Sequence, residues 1–219
     1  MKNIILILLF SFILCLDKYN YKIKVLNIPV ADCSIMIKDT LYNGDMQTLM
    51  NFEVNSLKFY EKIYPVNNKY SLIINKEYST KYFKKNTIQP QIINSIETQI
   101  KNDTVYYNES NYFIPENTLN IFSLLYLLMK DPEQLKFKSN DILEREGKFY
   151  SYSLITDNNK YILDISSLSD DLGLIKDTDI FTWAIFKDDV KRYIYIDDNK
   201  IQKCVVKGSI LNFTAEYIE

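Results

Sequence analysis

Polar and apolar residues alternate along most of this chain, and no other feature restricts its fold so strongly. Tyr21, Ile23 and Val25 are interleaved with Asn20, Lys22 and Lys24. A period of two belongs to a strand with one buried and one wet face. The same period predicts strands over 19–27, 32–39, 46–55, 68–76, 92–101, 148–156 and 159–166, and a closing series over 179–187, 190–197, 200–207 and 209–218. Between them stand turn-forming groups: Asn43-Gly44-Asp45, Asn67-Asn68, Glu146-Gly147, Asp157-Asn158-Asn159, Asp188-Asp189 and Asp197-Asp198-Asn199. Connections this short join antiparallel neighbours, because a parallel crossover needs a dozen or more residues. The chain therefore reads as mainly β, a curved antiparallel sheet or an incomplete β-barrel.

Residues 118–130 break the alternation. Asn117 or Thr118 is placed to cap a helix running through Leu119, Ile121, Phe122, Leu124, Leu125, Tyr126, Leu127, Leu128 and Met129 to Lys130, before Pro132. Its apolar residues cover nearly the whole circumference, so it is expected to be buried on the concave face or at the open end of the sheet. About 12 residues span roughly 18 Å, short of the ~30 Å of a bilayer's hydrocarbon. A shorter helical turn is expected over 57–63. With no internal repeat and no linker rich in Pro, Gly or Ser, 17–219 reads as one domain.

The amino terminus has a different character. Met1-Lys2-Asn3 is followed by Ile4 to Leu16, where 12 of 13 residues are apolar, and then by Asp17-Lys18. A positive charge ahead of a short apolar run is a secretory layout, so 1–16 is expected to direct export to the periplasm or cell envelope and then be removed. Only Ser11 and Cys15 are small enough for a cleavage rule, which keeps open an uncleaved anchor, and Cys15 raises lipid attachment, against which the bulky Leu14 argues. Cys33 and Cys204 remain in the mature chain. An oxidising compartment would permit a disulfide between them, and two buried free thiols are the alternative reading.

Several chemistries are excluded. Lys and Arg total 26 against 28 for Asp and Glu, a formal charge of −2, which leaves no field for non-specific nucleic-acid binding. The chain has no His and only 4 Gly, so the commonest general base, the commonest metal ligand and a phosphate-cradling loop are all missing. No Gly-x-Ser-x-Gly or Cys-x-x-Cys occurs, and no spacing singles out a Ser-Lys dyad. Asp170-Asp171, Asp188-Asp189 and Asp197-Asp198 stand at expected turns, and neighbours on a strand point to opposite faces, so these pairs read as turn chemistry and not as a metal or acid-base site. In 76–85, four Lys alternate with three aromatic rings. That stretch is expected to be an exposed strand whose lysines block edge pairing, in preference to a single-stranded nucleic-acid platform.

The order of elements resembles a family of exported bacterial proteins known as domain of unknown function 3108. The likeness rests on Tyr21-Lys22-Ile23-Lys24-Val25 leading to Ile28-Pro29-Val30-Ala31, on Ile63-Tyr64-Pro65-Val66 ahead of a strand, and on the helix at 119–129. It rests most on the stretch from Thr182-Trp183-Ala184 through Asp188-Asp189 and Lys191-Arg192 to Tyr193-Ile194-Tyr195-Ile196, ahead of a last hairpin through Lys207-Gly208-Ser209. Ala31-Asp32-Cys33 departs from the Gly usual in the family's second strand. The resemblance implies an extracytoplasmic curved antiparallel sheet and brings no catalytic residue, metal or cofactor. Within it Trp183 is expected in the core, and Lys191 and Arg192 just after a hairpin turn, a structural reading preferred to a binding role for the three. The resulting expectation is a non-enzymatic envelope protein holding a lipid-like or other hydrophobic ligand on its concave sheet. An envelope scaffold or protein-interaction module is the alternative, and a hydrolase without His the third reading.

Overall fold

The computed structural model describes residues 16–137, 141–168, 173–174, 176–209 and 212–219. The run at 1–15, Cys15 included, and Asp170-Asp171 lie outside them. The strands are β1 (Leu16–Val25), β2 (Ile28–Tyr42), β3 (Asp45–Ser56), β4 (Asn67–Ile74), β5 (Thr80–Gln89), β6 (Ile92–Lys101), β7 (Thr104–Tyr107), β8 (Ser110–Phe113), β9 (Ile142–Arg145), β10 (Lys148–Asp157), β11 (Lys160–Ser167), β12 (Lys191–Asp197), β13 (Lys200–Lys207) and β14 (Asn212–Ile218). Helices are α1 (Lys58–Glu61), α2 (Ile121–Lys130) and α3 (Ile180–Phe186), with a 3-10 turn at Pro132–Phe137.

All strands join one antiparallel sheet in the order β8-β7-β6-β5-β4-β3-β2-β1-β14-β13-β12-β11-β10-β9. The first and last strands pair in its middle, every other pair of adjacent strands is consecutive in sequence, and the consecutive strands β8 and β9 form the two ends. Tight turns make this possible. Asn43 and Gly44 have φ of 53° and 92°, and Asp198 and Asn199 have 48° and 53°, the left-handed pairs whose twist suits a two-residue hairpin.

The sheet curls but does not close into a barrel. Its free edges, β8 and β9, meet through side chains and a strap. The Tyr112 hydroxyl donates to Glu144 at 2.8 Å, and Leu119 forms a parallel bridge to Leu143. This use of the chain ahead of α2 moves the helix start: Thr118 bonds its hydroxyl to the Pro115 carbonyl at 2.7 Å, and Asn120 becomes the cap. Asn120 accepts from the Phe122 N–H at 3.0 Å, and its own N–H donates to Ser123 Oγ at 2.9 Å. The helix lies within the concave face, with the Phe122 ring 4.5 Å from Phe52 and 5.1 Å from Tyr70. Leu72, Leu124, Leu127, Leu143 and Leu163 are buried around it.

Three expectations are corrected. The strand expected over 179–187 contains α3, because Asp179 caps it by accepting from the N–H groups of Phe181 and Thr182, both at 3.0 Å, and Phe181, Ala184 and Ile185 then share one face at helical spacing. Trp183 consequently points outward and is 42% exposed instead of lying in the core. The lysine-rich stretch is no free edge: β5 pairs with β4 and β6, and Lys85 is fully buried.

Candidate functional site

Between α2, α3 and the concave sheet lies an apolar cavity of about 200 Å³. Its floor comes from β1 to β4 and β11 to β14, including Tyr21, Ile35, Phe52 and Ala215, and its cover from Ile121, Phe122 and Leu125 of α2 with Phe181, Ala184 and Ile185 of α3. Alternation on the strands turns every second side chain into this space, and α2 meets it with the half-buried Phe122 and Leu125 beside the buried Ile121. The walls are almost wholly hydrocarbon and aromatic. An apolar cavity of about 150 Å³ stays dry and accepts benzene, so this one is large enough for a ring or a chain of about eight carbons on the same scale.

Cys33 and Cys204 both line the cavity and both are free thiols. Strands β1 and β14 stand between β2 and β13, and three steps of about 4.8 Å separate the backbones beyond the roughly 7 Å that a disulfide spans. Burial pushes each thiol up to about 12.

A buried ionic cluster anchors one end of α3. Lys85 from β5 reaches Glu146 in the β9–β10 turn, Asp179 Oδ2 at 2.8 Å and Thr178 Oγ1 at 2.8 Å. The Lys85 side chain is 0% exposed, Asp179 0% and Glu146 5%. Burial pushes the Asp179 carboxyl up, but the Lys85 charge and hydrogen bonds from Lys85 and Thr182 outweigh it and hold Asp179 below its usual value. Tyr70 is raised by burial first and then by the neighbouring Asp179, and its hydroxyl accepts from Asn68 at 3.0 Å. One ammonium thus ties β5, the β9–β10 turn and the cap of α3 together.

Arg192 holds the other end. It is 4% exposed and donates from Nε to the Ile185 carbonyl, from Nη1 to Val190 at 3.2 Å and from Nη2 to Lys187 at 2.7 Å. It thereby satisfies carbonyls freed at the helix C-terminus, and desolvation lowers its proton affinity. Of the residues marked out in the sequence, Arg192 lines the cavity, Lys191 faces solvent, and the pairs Asp188-Asp189 and Asp197-Asp198 are exposed at turns. Sequence reasoning missed Lys85, Glu146 and Asp179. A run of β5 that turns Phe83, Lys85, Thr87 and Gln89 to one side reads as a polar face unless its partners across the fold are known.

Among the described residues, no cluster of His, Cys, Asp or Glu is arranged to hold a metal ion, and no helix is long and apolar enough to cross a membrane. No family model matches the chain, and no curated protein does. Among solved structures, a β-barrel-like protein of domain of unknown function DUF1849 from Brucella abortus is similar, at 6% identity and a TM-score of 0.49, over 92% of this chain and 95% of that one.

Proposed function

We propose that this chain is a non-enzymatic, exported binding protein that holds a small hydrophobic ligand between its central helix and its curved sheet. The observation that carries the reading is the cavity of about 200 Å³, since protein interiors are otherwise packed nearly as densely as organic crystals and an unfilled apolar space costs stability. A ligand there regains the dispersion contacts that the wall atoms lack and removes its own apolar surface from water, at about 25 cal/mol per Å². Export to the envelope is supported by the apolar run at 4–16.

Native mass spectrometry of the protein purified from its own envelope tests the reading. The expected result is an added mass of one small apolar compound per chain, released by organic solvent. A clean polypeptide mass in every preparation, with no ligand taken up from a panel of short alkanols and aromatics, overturns it. The scaffold reading is favoured by one observation: Phe59 and Ile63 near α1 are 71% and 67% exposed. Cross-linking in the native envelope to a stoichiometric protein partner would support that alternative.

A further inference from the structure

A second, smaller pocket stands at the β9–β10 turn. It has a volume of about 30 Å³ and is lined by Arg145, Glu146 and Lys148 of that hairpin and by Gly173, Lys176 and Thr178 of the segment leading into α3. The turn brings its first two cations together. Glu146 and Gly147 have φ of 53° and 87°, a two-residue connection, so Arg145 and Lys148 are partners across the hairpin and share one face of the sheet with Leu143 and Tyr150. Like charges directly opposite one another are destabilising. The Arg145 guanidinium is held 5.2 Å from the Tyr150 ring centroid and 5.0 Å from that of Phe186. Glu146 and Thr178 form the inner wall, and both are bonded to Lys85.

These cations are short of an acceptor. Arg145 Nε is buried and has no hydrogen-bond partner among the described residues, where Arg145, Lys148 and Lys176 also make no ion pair. A buried donor left unbonded costs stability. The neighbouring carboxylates are engaged or turned away. Glu146 is bound to Lys85. Glu144 lies on the opposite face of β9, where it accepts from the Tyr112 hydroxyl at 2.8 Å and the Gly147 N–H at 2.7 Å. Asp177 is exposed beside Lys176. Glu146 and Asp179 share the one ammonium of Lys85, which leaves a single negative charge inside against three cations around the pocket.

We propose that this pocket binds a small carboxylate anion. A guanidinium presents a planar fork of N–H donors that meets a carboxylate in two parallel bonds, and stacking on Tyr150 and Phe186 holds that fork in place before the anion arrives. Lys148 and Lys176 add attraction from two sides. The volume holds about two water-sized groups, at roughly 10–15 Å³ each, which is the number of oxygens in a carboxylate and fewer than a phosphate carries. The site is separate from the apolar cavity and does not depend on its occupant.

Nuclear magnetic resonance on the intact, nitrogen-15-labelled protein tests it, with acetate, inorganic phosphate and chloride titrated at constant ionic strength. Acetate is expected to move the Arg145 Nε–H signal and the Gly147 and Thr178 amide signals saturably and together, and to do so at lower concentration than phosphate. Chloride should leave them in place. Arg145→Lys, which keeps the charge and loses the fork, should weaken acetate about ten-fold or more. Lys176→Gln, at an exposed position that does not threaten folding, should weaken it about two- to five-fold. No saturable shift with acetate, the same shifts with chloride, or acetate binding unchanged in Lys176→Gln or in a folded Arg145→Lys overturns the site. Phosphate binding more tightly than acetate overturns the assignment to a carboxylate.

Discussion

Replacing Lys85 with Met keeps the length and apolar stem of the side chain but removes its charge. Glu146 and Asp179 would then sit buried on either side of a thioether, with their compensating cation gone. Removing one partner of a buried ion pair costs about 3–5 kcal/mol, mostly as the penalty of leaving the other charge unpaired. Here two carboxylates are left, so the upper part of that range is expected, a large fraction of the roughly 5–15 kcal/mol that stabilises an ordinary domain. The pH dependence should also change sign. In the wild type the folded Asp179 carboxyl lies below its unfolded value. Its contribution is therefore complete above the unfolded value and lost as pH falls through the folded one. Without Lys85, burial dominates and raises the folded value, so protonation favours the native state and stability rises as pH is lowered from 7 toward 4. Urea unfolding followed by circular dichroism at pH 7 and pH 4 measures both effects. The triple variant Lys85→Met/Glu146→Gln/Asp179→Asn should recover most of the loss, because Asn also caps helices well. A cost below about 1 kcal/mol for Lys85→Met, or a triple variant no more stable than the single one, would refute the reasoning.

Three further outcomes are expected. Cys33 and Cys204, with thiols pushed up to about 12 by burial, should react slowly with iodoacetamide at pH 8 in the native state and rapidly in urea, with two labels added per mature chain without reductant, as mass spectrometry will count. Asn120→Ala removes the cap of α2 and should cost about 1 kcal/mol in a urea melt, whereas Asn120→Asp, which keeps an oxygen acceptor for the Phe122 N–H, should retain most of that stability. Burial raises the Glu144 carboxyl, against the pull of the Gly147 N–H and the Tyr112 hydroxyl, so this group favours the folded state increasingly as pH falls through its raised value. Glu144→Gln keeps an acceptor for both donors and should be at least as stable at pH 7, while losing that rise on the acid side, as a series of melts will show.

Much of the sheet is legible in the sequence because a strand with one buried face writes its period into the chain. Tyr21, Ile23 and Val25 in β1, and Phe213, Ala215 and Tyr217 in β14, turn the faces that their alternation predicts, and Asn43-Gly44 and Asp198-Asn199 turn where their tolerance of positive φ allows. The apolar helix is legible for the same reason, since nothing but a core receives a segment apolar all round. What the period does not encode is a local competition or a distant partner. Over 179–187 a short apolar run fits either a strand or a helix, and the capping bonds of Asp179 decide for the helix. At Lys85 the outcome depends on Glu146 and Asp179, 61 and 94 positions away in the chain, which no local pattern announces. The cavity is likewise invisible in the sequence: it is the difference between the volume that the curled sheet encloses and the volume that its side chains fill.

That difference gives the most direct test of the account. Ala215 lies on the cavity floor, and Ala215→Phe places a ring in the empty space while leaving the sheet's ladder unchanged. Calorimetric titration of 1-octanol into wild type and variant should show saturable binding of one molecule per chain in the wild type and none in the variant, with the variant melting cooperatively at the wild-type temperature or above it. A wild type that takes up no 1-octanol, or a variant that binds it equally well, would contradict a cavity built to hold a ligand.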